Sequence, residues 1–236
     1  MSITTEGIRN VVLVHGAFAD GSGWRNVYEN LTERGYRVSI VQNPLTSFQD
    51  DVAATRRVLD QQDGPTILVG HSWGGTVITE AGSHDKVAGL VYVAALIPDS
   101  GETSGQQYEG FAPTPEFVIE VGDDGFGYLN RDKFAIGFAA DATDGDAAFL
   151  RDAQVPVNMA VFGEAVSTAA WHSKPSWAVI ATEDNAFDQA MLQYMAQRAG
   201  ADITTTPGSH AVYLTQPAIV SDVIVKAAET ALVGAA

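Results

Sequence analysis

Thr66-Ile67-Leu68-Val69-Gly70-His71-Ser72-Trp73-Gly74-Gly75 is the stretch on which the reading of this chain turns. A short apolar, partly β-branched run enters a G-x-S-x-G pattern. That is what a nucleophile elbow requires: a serine on a sharp strand-to-helix turn, its hydroxyl exposed above a sheet. Gly70 and Gly74 flank a residue in strained backbone, where a Cβ on either side would collide with the turn. Five residues can match by chance, so the rest of the chain must supply the context.

Working outward, apolar runs alternate with helix-like segments, the signature of a mostly parallel sheet. Strands are expected at Val11–His15, Arg37–Val41, Thr66–Val69, Val87–Val93, Trp177–Ala181 and Ile203–Thr206. Helices are expected near Gly23–Arg34, Phe48–Gln61, Trp73–Ser83 and Phe187–Ala199, with a last one from about Gln216 to Leu232. In the second helix, Val52, Thr55, Val58 and Leu59 have the three-and-four spacing of a one-sided helix on a sheet. The alternation breaks once, over residues 97–174, which are too many for an ordinary βα connection. Seven of the ten phenylalanines fall there: Phe111, Phe117, Phe126, Phe134, Phe138, Phe149 and Phe162. They form either the core of an inserted subdomain or the apolar inner face of a lid, and both uses can hold together. The expected organisation is a core of residues 1–96 and 175–236, with a cap at 97–174 between the fourth and fifth strands.

Composition narrows the function classes. The chain has 236 residues, 46% of them hydrophobic and 18% charged, as in an ordinary globular protein. Its 13 basic and 29 acidic residues give a formal net charge of −16, which repels nucleic acid and anionic membrane surfaces. With no cysteine, disulfides, thiolate metal sites and cysteine catalysis are excluded. Met1–Glu6 has neither the basic region nor the apolar core of a secretory signal, and the apolar stretch Val87–Ile97 is too short to span a bilayer. A cytoplasmic protein is the expectation. Nucleotide-binding glycine fingerprints are absent, so no phosphate-bearing cofactor is implied. Asp141-Ala142-Thr143-Asp144-Gly145-Asp146 and Gly122-Asp123-Asp124-Gly125 look like calcium-loop fragments. Their spacing misses the loop pattern, so no metal is expected and both are read as solvated turns.

A serine nucleophile needs a base within hydrogen-bond reach, and the base needs a carboxylate to fix its tautomer. The chain order expected after such an elbow is serine, acid, histidine. Three histidines follow Ser72. His84 lies just past the helix leaving the elbow, on the wrong side of the sheet. His172 reads as a surface or packing histidine. His210, in Pro207-Gly208-Ser209-His210, sits in a loop at the carboxyl end of the last strand, where open α/β sheets place their chemistry. His210 is therefore assigned as the base. The acid is sought in the loop after the preceding strand. Glu183 is expected to point outward and Asp188 to sit in the first turn of the next helix, which leaves Asp184. Backbone N–H donors for an oxyanion are expected at Trp73, beginning a helix, and at Ala17, aimed by a turn that Gly16 permits. Phe18 and the Trp73 side chain would line the pocket. His15 is read as a buttress of that loop rather than a proton carrier.

These residues resemble the α/β-hydrolase superfamily, and most closely the cofactor-free branch of plant methylesterases, hydroxynitrile lyases and their bacterial esterase-like relatives. The resemblance covers nearly the whole chain and rests on Leu-Val-His-Gly-Ala-Phe (13–18), Val-Gly-His-Ser-Trp-Gly-Gly (69–75), Ala-Thr-Glu-Asp (181–184) and Gly-Ser-His (208–210), in order and at family-like spacing. It places nucleophile, acid and base on Ser72, Asp184 and His210, and the oxyanion amides on Ala17 and Trp73. It also implies an α/β fold and a cofactor-free serine esterase working through an acyl-enzyme, while the acidic surface and the aromatic-rich cap favour a small, neutral or apolar ester. The family's two leading antiparallel strands have no counterpart, so about six strands are expected, mostly parallel. The lyase branch carries threonine where this chain has Gly16 and lysine where it has Ala211, and both departures favour hydrolysis. The competing expectations are lyase or other C–C cleavage with the same three residues, and a ligand-binding protein without turnover.

Overall fold

The computed structural model describes residues 7–231; Met1–Glu6 and the expected helix end at Leu232 lie outside the described residues. In chain order the elements are β1 (Asn10–Val14), α1 (Arg25–Glu33), β2 (Arg37–Val41), α2 (Phe48–Asp60), β3 (Thr66–His71), α3 (Trp73–Ala81) and β4 (Val87–Val93). An irregular segment follows, carrying β5 (Ile119–Val121), β6 (Phe126–Leu129), α4 (Phe134–Phe138), α5 (Asp144–Asp152) and β7 (Val157–Asn158). The chain closes with β8 (Ser176–Ala181), α6 (Gln189–Arg198), β9 (Asp202–Thr206), α7 (Val212–Thr215) and α8 (Pro217–Thr230).

β1–β4, β8 and β9 form one six-stranded sheet in the order β2-β1-β3-β4-β8-β9, every pairing parallel. β1, β3 and β8 are buried along their whole length, as a central parallel strand covered on both faces must be. Right-handed crossovers dictate the layers. The step from β1 to β2 runs toward one edge, whereas β2 to β3, β3 to β4 and β8 to β9 all run toward the other. α1 therefore lies on one face, and α2, α3 and α6 lie on the opposite one. α8 packs on α1 and completes the first layer.

Local chemistry sets the helix ends. Ser47 caps α2 by accepting from the Asp50 amide, and Pro217 opens α8 at a position where a missing N–H costs nothing. Asp188 caps α6 by accepting from Ala190 N and Met191 N, so that helix begins at Gln189 and not at Phe187. Asp188 thus stands just outside the first turn in which it was expected. The expected helix from Gly23 opens instead as a 3₁₀ turn, Gly21–Trp24, capped by Asp20.

Between β4 and β8, β5, β6 and β7 form a small antiparallel sheet. Its phenylalanines divide between the two expected uses. Phe134 and Phe138 stack on each other and are buried, while Phe117 and Phe162 face a cavity above the large sheet. Phe149 does neither and is exposed. No helix among the described residues is long and apolar enough to cross a membrane, and no three His, Asp or Glu side chains among them gather closely enough to hold a metal ion.

Candidate active site

The strand order reverses at β1, which has β2 on one side and β3 on the other. The loops leaving β1 and β3 diverge there and open a crevice, the place where open α/β sheets bind ligands. Ser72 stands at that point with φ 53° and ψ −122°, a strained backbone for a residue with a Cβ. The surroundings hold it there. Its N–H donates to Val93 O, and its carbonyl accepts from Gly75 N and Leu96 N. The elbow also needs bare glycines on both sides. A Cβ on Gly70 would stand 2.5 Å from Gly74 O, and one on Gly74 would stand 2.6 Å from Val14 O.

The three side chains singled out from sequence meet here. Ser72 Oγ lies 2.8 Å from His210 Nε2, and His210 Nδ1 lies 2.8 Å from Asp184 Oδ2. The other Asp184 oxygen accepts from Ala186 N at 2.7 Å and Phe187 N at 3.0 Å, so the carboxylate is fixed in orientation. The Asp184 and His210 side chains are fully buried. With Nδ1–H donated to the carboxylate, Nε2 carries a lone pair that accepts the hydrogen bond of the Ser72 hydroxyl. Glu183 is exposed, as expected. His84 pairs with Asp60 and His172 with Asp99, and neither is hydrogen-bonded to a member of this cluster.

The loop after β1 differs from expectation in one respect. Gly16 does not adopt a positive φ; the left-handed residue of this turn is Phe18, at φ 61°. Gly16 is needed for close approach, since a Cβ there would lie 2.7 Å from Ser72 Cβ and 3.0 Å from His71 Nδ1. His15 buttresses the loop as expected. Its Nδ1–H donates to Gly16 O, its Nε2 accepts from Asn43 N, and burial holds it neutral by pushing its pKa down. As the first residue of α3, Trp73 has an amide without an intrahelical acceptor. None of the hydrogen bonds among the described residues uses the Ala17 amide.

Some residues of the site escaped the sequence reading. His71, inside the quoted motif, is fully buried and donates Nε2–H to His210 O at 2.9 Å, its ring 4.6 Å from that of His210. Burial drives its pKa well down, so it remains a neutral donor. Phe138 and Phe187 pack edge-on against the His210 ring, at 5.1 Å and 4.8 Å between centroids. Asp141, expected in a solvated turn, instead accepts from Ser209 N, and Phe138 O accepts from Ala211 N. Both tether the loop that carries His210 from either side of it. A local acidic pattern carried no sign of that partner, 68 residues away.

Ser72 opens into a cavity of about 230 Å³. Phe18 and Trp73 line it, joined by Phe117, Phe162, Phe187 and Tyr108. Larger surface hollows exist, but the one at Gly64–Pro65 and Lys174–Pro175 lies at the opposite, amino-terminal end of the strands and holds none of these groups.

A serine on a strained elbow, backed by a buried histidine–carboxylate pair at the switch point of a parallel sheet, defines the α/β-hydrolase class of proteins. Comparison with known proteins agrees. A model of the alpha/beta hydrolase family matches residues 11–223, and the chain belongs to that family. It is 36% identical to a pyrethroid hydrolase of Sphingobium wenxiniae over 111 residues, covering 41% of this chain and 39% of the relative. It is 34% identical over 108 residues to a carbendazim-hydrolysing esterase of a Nocardioides species, covering 40% of this chain and 45% of that one. The matches thus span less than half the length of either relative. Among solved structures, polyneuridine aldehyde esterase shares the fold with a TM-score of 0.80 at 17% identity, over 93% of this chain and 98% of that one.

Proposed function

We propose that this protein is a carboxylic ester hydrolase that works through an acyl-enzyme on Ser72. The observation carrying the proposal is the continuous Ser72–His210–Asp184 hydrogen-bond chain at the edge of an apolar cavity. His210 Nε2 takes the Ser72 proton as Oγ attacks the ester carbonyl carbon. The resulting oxyanion is held by the Ala17 and Trp73 amides. When the tetrahedral intermediate collapses, the C–O bond to the alcohol breaks and His210 returns the proton to that oxygen. Water, deprotonated by His210, then attacks the acyl carbon, and the acid leaves with Ser72 restored.

The aromatic and aliphatic walls suit a small, neutral or apolar alkyl or aryl ester, since an ionic group placed there would lose its hydration without a partner. The names of the pyrethroid and carbendazim relatives accord with that class. In the same reading, residues 97–174 are a cap over a core of residues 1–96 and 175–236, and supply much of the substrate pocket. The test is a chain-length series of alkyl and aryl esters, together with a fluorophosphonate probe followed by peptide mass analysis. Hydrolysis with a stoichiometric adduct on Ser72 is expected. A folded protein that cleaves no ester and takes up no probe would overturn the proposal.

Gly16→Ala should lower kcat for such esters by about 10²-fold, because the new Cβ pushes the Ala17 amide away from Ser72. Circular dichroism separates this loss from unfolding, and a folded variant with parental kcat would remove the role given to that loop.

A further inference from the structure

Asp51 is fully buried in the first turn of α2, outside the Ser72–His210–Asp184 chain. Its two oxygens have separate tasks. Oδ1 accepts from Leu45 N at 2.8 Å, and Oδ2 accepts from the Trp73 indole Nε1 at 2.8 Å. Leu45 has a positive φ of 58°, so this carboxylate holds a backbone conformation that an apolar residue seldom adopts. The indole it grips crosses Phe162 edge-on at 5.3 Å and Phe48 at 5.8 Å. Phe162 stacks on Phe18, and Phe18 meets Phe117, so one aromatic series runs from the Asp51–Trp73 bond around the cavity wall.

The loop between β2 and α2 also meets the segment between β4 and β8. Asn158 N donates to Leu45 O, Asn158 Nδ2 donates to Thr46 O, and Glu164 accepts from Phe48 N. The other side of that loop holds His15 through Asn43. Asp51 thus stands where the serine elbow, the loop before α2 and the inserted segment converge.

We propose that Asp51 is a specificity-determining positioning residue: its carboxylate fixes the Trp73 indole against Phe162 and so sets the cavity wall beside Ser72. The proposal rests on the ester-hydrolase reading for its substrate consequence, but the Asp51–Trp73 link can be tested without it. Ionisation matters to this arrangement, because both oxygens are already receiving an N–H. A proton added to either one would face a donor with a donor. Among the described residues, the groups that bear on Asp51 include no cation to keep it charged. Asp50 on its own helix and Glu164 from the inserted segment are acidic, and the Leu45 and Trp73 contacts are neutral N–H donors. Burial, helped by those two carboxylates and opposed by the two N–H bonds, pushes its pKa up to about 6. The indole is therefore held at neutral pH and released as pH falls through that value.

The experiment compares kcat/KM for a short and a long aryl ester in the parent, Asp51→Asn, Trp73→Phe and the double variant. The introduced asparagine can still accept from Leu45 N, but its amide nitrogen would face the indole N–H. The expected result is a change of at least tenfold in the long-to-short ratio for Asp51→Asn, carried mainly by KM. Trp73→Phe should shift it in the same direction, and the double variant should go no further than Trp73→Phe. A ratio within twofold of the parent in folded Asp51→Asn would overturn the proposal. The second readout is the ¹⁵N-indole resonance of Trp73, identified by its loss in Trp73→Phe. It should shift in Asp51→Asn and titrate in the parent with a midpoint near pH 6, and an indole resonance that neither Asp51→Asn nor acidification moves would also overturn the proposal. If the parent hydrolyses no ester, the functional reading falls, and the indole titration alone decides whether Asp51 governs Trp73.

Discussion

Ser72→Ala should lower ester turnover by about 10⁵-fold or more in kcat while leaving the fold intact. The size follows from what the hydroxyl does. Among the described residues it is the one hydroxyl hydrogen-bonded to His210 Nε2, and without it the proposed acyl-enzyme has no oxygen to form on. Removal leaves a buried imidazole lone pair unpartnered, but both backbone hydrogen-bonding groups of residue 72 keep their partners in β4, α3 and Leu96. Alanine bears the same positive φ as serine, since each carries one Cβ. The melting temperature should therefore stay within a few degrees, which thermal denaturation can check. Stopped-flow and steady-state assays on the same ester decide the rest. Parental turnover in the variant would show that the cleavage belongs to another group.

Asp184→Asn should cost about 10⁴-fold in kcat, for a reason set by this particular loop. One oxygen of Asp184 already accepts from two backbone amides, Ala186 N and Phe187 N. An asparagine must keep its carbonyl oxygen there, because turning the amide over would aim N–H groups at N–H groups. Its NH₂ then faces His210 Nδ1 and donates to it. The imidazole is forced to carry its proton on Nε2, where it meets the Ser72 hydroxyl as a donor and can no longer take the proton. Geometry is preserved and the tautomer is wrong. Phosphonate labelling of Ser72 should slow in parallel with turnover. Labelling at the parental rate would indicate that the carboxylate does not set the tautomer.

Much of the fold was legible because its signals are local. Apolar runs with turn residues between them marked the six parallel strands to within a residue or two, and the order of Ser72, Asp184 and His210 along the chain follows from the ends of β3, β8 and β9. The misses have a common cause. Asp141 and Phe138 act on the His210 loop across about 70 residues of chain, and no periodicity reports a contact of that kind. The cavity walls draw on Tyr108, Phe117, Phe162 and Phe187, whose inward direction is decided by irregular backbone. Asp51 is the instructive exception. It lies four residues before Thr55 and three after Phe48, on the buried stripe of α2, so a carboxylate at that place in the period already marked a buried acid in need of donors.

The tethers from Asp141 and Phe138 to the loop of His210 bear on how far this scaffold can be altered. Asn185 adds a third, donating to Ile136 O from the acid's own loop. Residues 134–142 therefore brace the loops that carry His210 and Asp184, although they lie in the segment between β4 and β8. Residues 105–118 carry Tyr108, Thr114 and Phe117 of the cavity wall; Thr114 Oγ1 donates to Ala186 O beside Asp184, but none of their hydrogen bonds among the described residues reaches the loop of His210. Natural drift or a protein engineer could exchange the second stretch for new substrate preferences and leave reactivity standing. A chimera replacing 105–118 should keep its phosphonate labelling of Ser72, whereas one that also replaces 134–142 should lose it. Equal labelling of the two would show that the graft point is free. The segment between β4 and β8 is thus part interchangeable fitting and part fixed mount, with the seam between them near α4.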